Sequence, residues 1–128
     1  KNGSFTLVLS DGEQILTSCE RGVKPLLMLL ESGEDYSIFS AADKVVGAAA
    51  AYLYVLLKVR EVYAPTMSEK AKAVFQKYGI PFEAESFTEN IINRRGDGLC
   101  PMEQAVKNAV SPDEALEKIK ETLKALNG

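Results

Sequence analysis

Apolar and polar positions alternate from Phe5 to Ser10, and the chain returns as a second β-prone segment from Gln14 to Ser18. Asp11-Gly12 between them is a strong reverse-turn signal, so the pair predicts a hairpin. Pro25 suits the first turn of a helix that continues through Leu26 to Glu31 and stops at Gly33. Tyr36 to Ala41 reads as a short apolar strand. Asp43 then has the chemistry of an N-cap for a helix from Lys44 to about Val59. That helix carries apolar residues on nearly every side, including Ala48 to Ala51, Leu53, Val55, Leu56 and Leu57. A helix of this kind is central, covered by a sheet and by other helices or by a second subunit.

The second half alternates in the same way. Glu61 to Ala64 predicts a strand, and Thr66-Met67-Ser68-Glu69 reads as a capping box opening a helix to Tyr78, closed by Gly79. Pro81 to Glu85 predicts the next strand. Residues 86–99, with Arg94-Arg95-Gly96-Asp97-Gly98, read as a loop. Pro101 begins a helix to about Ala109. Ser111-Pro112-Asp113-Glu114 gives a clear start for a last helix, which runs to Leu126. Strands alternating with helices imply crossover connections and a largely parallel sheet after the hairpin. The expectation is a single α/β domain over residues 1–128, a three-layer α/β/α sandwich.

Composition narrows the function classes. The chain has 128 residues, 46% of them hydrophobic and 26% charged, with a net charge of −3. That balance offers no basic footprint for nucleic acid or an anionic membrane. The apolar stretch Val45 to Leu57 is shorter than the roughly 20 residues a membrane span needs. Histidine is absent, which removes every His-based triad, general base and metal ligand together. Cys19 and Cys100 lie far apart with no CxxC, so reduced thiols in a cytoplasm are expected. No cofactor is expected.

A few residues carry candidate chemistry. Asp43 and Lys44 fall at the predicted carboxyl end of a strand, the edge where open α/β sheets bind ligands. A lysine at a helix N-terminus opposes the macrodipole, which suggests a fixed ammonium paired with Asp43 or facing an anionic ligand. A solvent-directed lysine beside an ordinary cap would look the same. Cys100 precedes Pro101 and a helix, a place where a thiol can ionise more readily; a small buried apolar side chain is the plainer reading. Glu103 occupies the capping-box position of that helix. Arg94 and Arg95, in a loop with Gly96 and Gly98, could clamp a phosphate or carboxylate, or be solvated. Gly47 reads as a close-packing position. Tyr52 and Tyr54 read as core or subunit contacts.

The element order resembles the cytidine-deaminase-like fold, a hairpin followed by helix-linked strands. Deaminases carry a His/Cys-x-Glu motif at the start of the central helix and Pro-Cys-x-x-Cys at the next. Here those places hold Ala42-Asp43-Lys44 and Pro65-Thr66-Met67-Ser68-Glu69. Ala42 falls on the His/Cys ligand, Lys44 on the glutamate, and Thr66 and Glu69 on the cysteines. That set cannot supply a deaminase zinc shell, so metal-dependent deamination is not expected and no metal site is assigned. The chain also resembles a small bacterial and archaeal family of uncharacterised proteins built on this fold, through Asp43-Lys44-Val45-Val46-Gly47-Ala48-Ala49-Ala50 and Cys100-Pro101-Met102-Glu103. The family resemblance supports the fold and supplies no function; the candidate residues themselves point to a small-molecule binder or a zinc-independent enzyme. Its pocket combines Asp43, Lys44, Cys100 and Glu103, with Arg94, Arg95 and Gly98 at the ligand. A small anionic, nucleoside- or nucleotide-like ligand follows by fold analogy. The alternative is a non-catalytic interaction or regulatory module, with homodimerisation as one way to cover the central helix.

Overall fold

The structure, a computed structural model, describes residues 7–10, 12, 15–18, 24–33, 35–89 and 101–127. The hairpin forms as the alternation requires. β1 (Leu7–Ser10) pairs antiparallel with β2 (Ile15–Ser18), from Leu7 opposite Ser18 to Ser10 opposite Ile15. Gly12 adopts φ +97°, a conformation closed to most side chains, and its N–H donates to Ser10 Oγ at 3.1 Å. Helix α1 (Lys24–Ser32) follows and ends at Gly33, whose φ of +75° makes it the expected left-handed stop.

The next segment departs from the sequence reading. Tyr36 and Phe39 are buried but form a turn rather than a strand, with Phe39 N–H donating to Tyr36 O at 3.0 Å. The strand β3 comes later, Ser40–Asp43, and is followed by a two-residue strand β4 (Val45–Val46). Both pair parallel with β5 (Glu61–Ser68) at one constant offset: Ser40 lies opposite Glu61 and Val45 opposite Thr66. They are thus one strand interrupted at Asp43-Lys44. Helix α2 therefore begins at Ala48, not at Lys44, and runs to Leu57. An apolar run does not announce its period, and here the β-branched pair Val45-Val46 joined the sheet while the alanines took the helix.

Helix α3 (Glu69–Tyr78) and β6 (Phe82–Thr88) continue the alternation, with β6 parallel to β5 from Val62 opposite Phe82 onward. β5 and β6 run three to four residues beyond the predicted strands. The cap of α3 is Ser68 rather than Thr66, which lies in β5. Ser68 Oγ accepts Ala71 N–H at 3.0 Å, and Gly79 at φ +75° ends the helix. Helix α4 is short, Pro101–Ala105. Helix α5 (Pro112–Asn127) starts as the sequence indicates: Ser111 Oγ accepts Glu114 N–H at 3.2 Å, and Glu114 Oε1 accepts Val110 N–H at 3.1 Å.

The six-stranded sheet has β5 at its centre, flanked by β3 and β4 on one edge and β6 on the other, with β1 and β2 beyond β3. β1 is antiparallel to β3, so the sheet is mixed, and it is parallel beyond the hairpin. Leu9, Ala41, Val62 and Ala64 are buried, while the alternate positions Val8, Ala42 and Tyr63 are only half-buried. At the end of β5 the alternation breaks, and Met67 and Ser68 are both enclosed as the sheet curls.

Helix α2 packs against α1, α3, α4 and α5, which explains its all-round apolar surface within one chain. Leu53, Tyr54 and Phe75 are fully enclosed at this junction. Burial of each such side chain contributes about 2 kcal/mol. Among the described residues no helix is long and apolar enough to cross a membrane.

Candidate functional site

Asp43 closes β3 at the carboxyl end of a parallel strand. It does not cap α2, since Lys44, β4 and Gly47 intervene. Its Oδ2 accepts a hydrogen bond from Tyr54 Oη at 2.7 Å, and its carboxyl also accepts from the backbone amides of Lys44 and Val45. These contacts hold the break between β3 and β4. Burial is the leading influence on Asp43. It raises the carboxyl from an ordinary 3.8 to about 6, against the three hydrogen bonds, which pull it down. Tyr54 is wholly buried on α2, and desolvation followed by the neighbouring Asp43 charge pushes its phenol well above 10. Tyr54 is thereby fixed as the donor, and it is a core residue rather than a subunit contact. Tyr52 is half-buried and donates to Ala109 O at 3.2 Å.

Lys44 is exposed and lies in the strand interruption, three residues before the helix cap. It does not oppose the α2 dipole, so the electrostatic argument that singled it out does not apply. What places it beside Asp43 is the β3–β4 break.

Glu103 reaches the start of another helix. Its Oε1 accepts Ala48 N–H at 2.9 Å and its Oε2 accepts Ala49 N–H at 3.0 Å, across 55 and 54 positions of sequence. The N-cap of α2 is Gly47, which has no side chain to offer, and the first turn carries no acidic residue. Glu103 supplies both from α4: acceptors for orphan amides and a negative charge at the positive end of the helix. This makes it an acceptor that holds the start of α2. Gly47 is a close-packing position, as read, but at the cap rather than within the helix.

Arg94, Arg95, Gly98 and Cys100 lie outside the described residues, as does Cys19. Among the described residues no group of three or more acidic or thiol side chains could hold a metal ion. The residue-by-residue correspondence with the deaminase motifs also shifts. Ala42 and Thr66 lie within strands and Lys44 in the break, none of them at a helix start; Glu69 alone of the four opens a helix. The positions that open α2, Gly47 to Ala50, carry no donor side chains either. A groove of about 380 Å³ crosses Val8, Ser40, Ala42, Glu61, Tyr63 and Glu83, at the opposite, amino-terminal end of the parallel strands; none of Asp43, Lys44 or Glu103 lines it.

Sequence comparison places this geometry in a family. The family model described as TM1506, domain of unknown function (DUF1893), matches residues 1–123. The chain belongs to the DUF1893 family. It is similar to the crystal structure of a DUF1893 family protein, TM1506, from Thermotoga maritima, at 26% identity and a TM-score of 0.83. The likeness covers 94% of this chain and 80% of that one. No curated protein matches the chain. Sequence reasoning missed the remote cap by Glu103. The signal for it was Gly47 directly before four alanines, since glycine is tolerated at an N-cap and costly inside a helix.

Proposed function

We propose that this protein binds a small anionic, nucleoside- or nucleotide-like molecule, or acts on one without zinc, at the carboxyl end of its parallel strands. The observation that carries this reading is Asp43. A carboxyl held by Tyr54 at 2.7 Å and raised to about 6 is matched to proton exchange near neutral pH. Lys44, exposed next to it, is the cation for an anionic ligand. Glu103 positions the α2 end of the site. Cys100, with Arg94, Arg95 and Gly98, completes the proposal from the sequence. The hairpin followed by helix-linked parallel strands supports a deaminase-like scaffold. Gly47 to Ala50, Ala42, Thr66 and Lys44 lack the N and S donors that a deaminase zinc needs. The alternative, a non-catalytic interaction or regulatory module, rests on the missing zinc residues and on the apolar central helix; the packing of four helices of the same chain against α2 accounts for that apolar surface without a second subunit.

Calorimetric titration with AMP, cytidine monophosphate and inorganic phosphate tests the proposal, at pH 5 and pH 7.5. Binding by the wild type that weakens in Lys44→Ala, and whose pH dependence disappears in Asp43→Asn, supports it. No binding of any of the three, or an Asp43 carboxyl that titrates near 3.8, would sink it.

A further inference from the structure

We infer that Gly47 and Glu103 are positioning residues that hold the α2 end against Asp43, a role that rests on the functional reading of Asp43 given above. The chain of contacts is continuous. Glu103 grips the first two residues of α2 through Ala48 N–H at 2.9 Å and Ala49 N–H at 3.0 Å. Tyr54, which donates to Asp43 at 2.7 Å, lies six residues beyond Ala48, roughly 9 Å along the same rigid helix. On the other side, Asp43 connects to Gly47 through β4, itself pinned to β5 by Val45 opposite Thr66 and Val46 opposite Met67. Asp43 is thus held from one side by the sheet and from the other by a helix whose free end Glu103 fastens.

Gly47 is what lets the carboxylate reach. A Cβ at position 47 would stand 2.5 Å from Glu103 Oε2, 2.6 Å from Cδ and 2.9 Å from Oε1. Those distances are shorter than real contacts allow. The obstructing atoms are all at the tip of one flexible side chain, so the strain is relieved by withdrawal of Glu103, not by movement of the backbone. Any side chain at position 47 therefore acts on Asp43 through Glu103. Nothing in the local sequence replaces the lost cap, because Gly47 is the cap and the first turn of α2, Ala48 to Ala51, holds only alanines.

The test is a carbon-detected NMR titration of the Asp43 carboxyl in the full chain, assigned by its loss in Asp43→Asn. In Gly47→Ala and in Glu103→Gln the midpoint is expected to move toward 3.8 by more than about half a pH unit, as the loosened helix end admits water to the carboxyl. A midpoint unchanged in both folded variants overturns the inference. A double-mutant cycle gives a second readout that survives if one variant folds poorly. Gly47→Ala should perturb the folding equilibrium at least about tenfold less in a Glu103→Ala background than in the wild type, and equal effects overturn the inference. If wild-type Asp43 itself titrates near 3.8, the proposed function fails, while the cycle still reports on Gly47 and Glu103.

Discussion

The starts of α2 and α3 solve one problem in two ways. Each opens after a parallel strand, and each must satisfy amides that have no helical partner. At α3 the answer is local: Ser68 bonds Ala71 N–H three residues on, and Glu69 adds charge in the first turn. At α2 it is remote: Gly47 offers nothing, and Glu103 arrives from another helix with both oxygens. A local cap stabilises one helix whatever the rest of the chain does. A remote cap ties the helix end to tertiary structure, and it does so near Asp43, a carboxyl that burial shifts toward neutrality. The difference marks the α2 end as the more conditional region, and conditional regions are where binding sites are built.

That contrast can be broken by substitution. Glu103→Ala should cost the most, about 3 kcal/mol by urea unfolding, because two amides lose charge-assisted bonds in a half-buried place. A loss below that of a local cap would put the two helix starts on the same footing. Asp43→Asn should come next, with a sign set by linkage. The folded carboxyl is raised from 3.8 to about 6, so the native state holds the proton more tightly than the unfolded chain between those values. Stability contributed by the protonated group is present below about pH 4 and is lost as pH rises to about 6. The variant should therefore match the wild type near pH 4 and exceed it by roughly 2 kcal/mol at pH 7. Parallel stability–pH curves for the two proteins would contradict this. A group that destabilises the fold at neutral pH fits a site kept for function.

Ser68→Ala should cost about 1 kcal/mol, the ordinary loss of a local cap, with no change in the titration of Asp43. An effect on Asp43 would show that the two helix starts are coupled. The smallest effect concerns the other end of α2. Lys58 ends the helix at φ +59°, the only non-glycine residue with positive φ among those described, and its N–H donates to Tyr54 O at 2.9 Å. Lys58→Gly should raise stability by about 0.5 kcal/mol, since glycine takes that conformation without strain. Thermal melts resolve this, and a lower melting temperature would mean that the lysine side chain contributes more than its backbone costs.

The boundaries that were legible in the sequence share one property: their signals act within a few residues. Gly33 and Gly79 end α1 and α3, Gly12 lies between the strands of the hairpin, and Ser111-Pro112 opens α5, because backbone sterics and short side-chain bonds suffice to fix them. The candidate site was half legible. Asp43 was found as a polar residue at a strand end, but its role as a cap was wrong, and Lys44 was singled out for a dipole it does not face. The strand–helix boundary between Asp43 and Ala48 could not be read locally, because Val45-Val46 fits either element until β5 is present to pair with it.

By itself, then, the sequence determined an α/β chain without histidine chemistry, a hairpin followed by parallel crossovers, and an apolar helix destined for the centre. Tertiary structure alone decided that the strand breaks at Asp43, that burial raises its carboxyl in spite of the Tyr54 hydrogen bond, and that Glu103 caps α2. The physical reason is range. Turn and cap preferences are properties of neighbouring residues, whereas desolvation and a carboxylate brought across 55 positions exist only once the elements have packed.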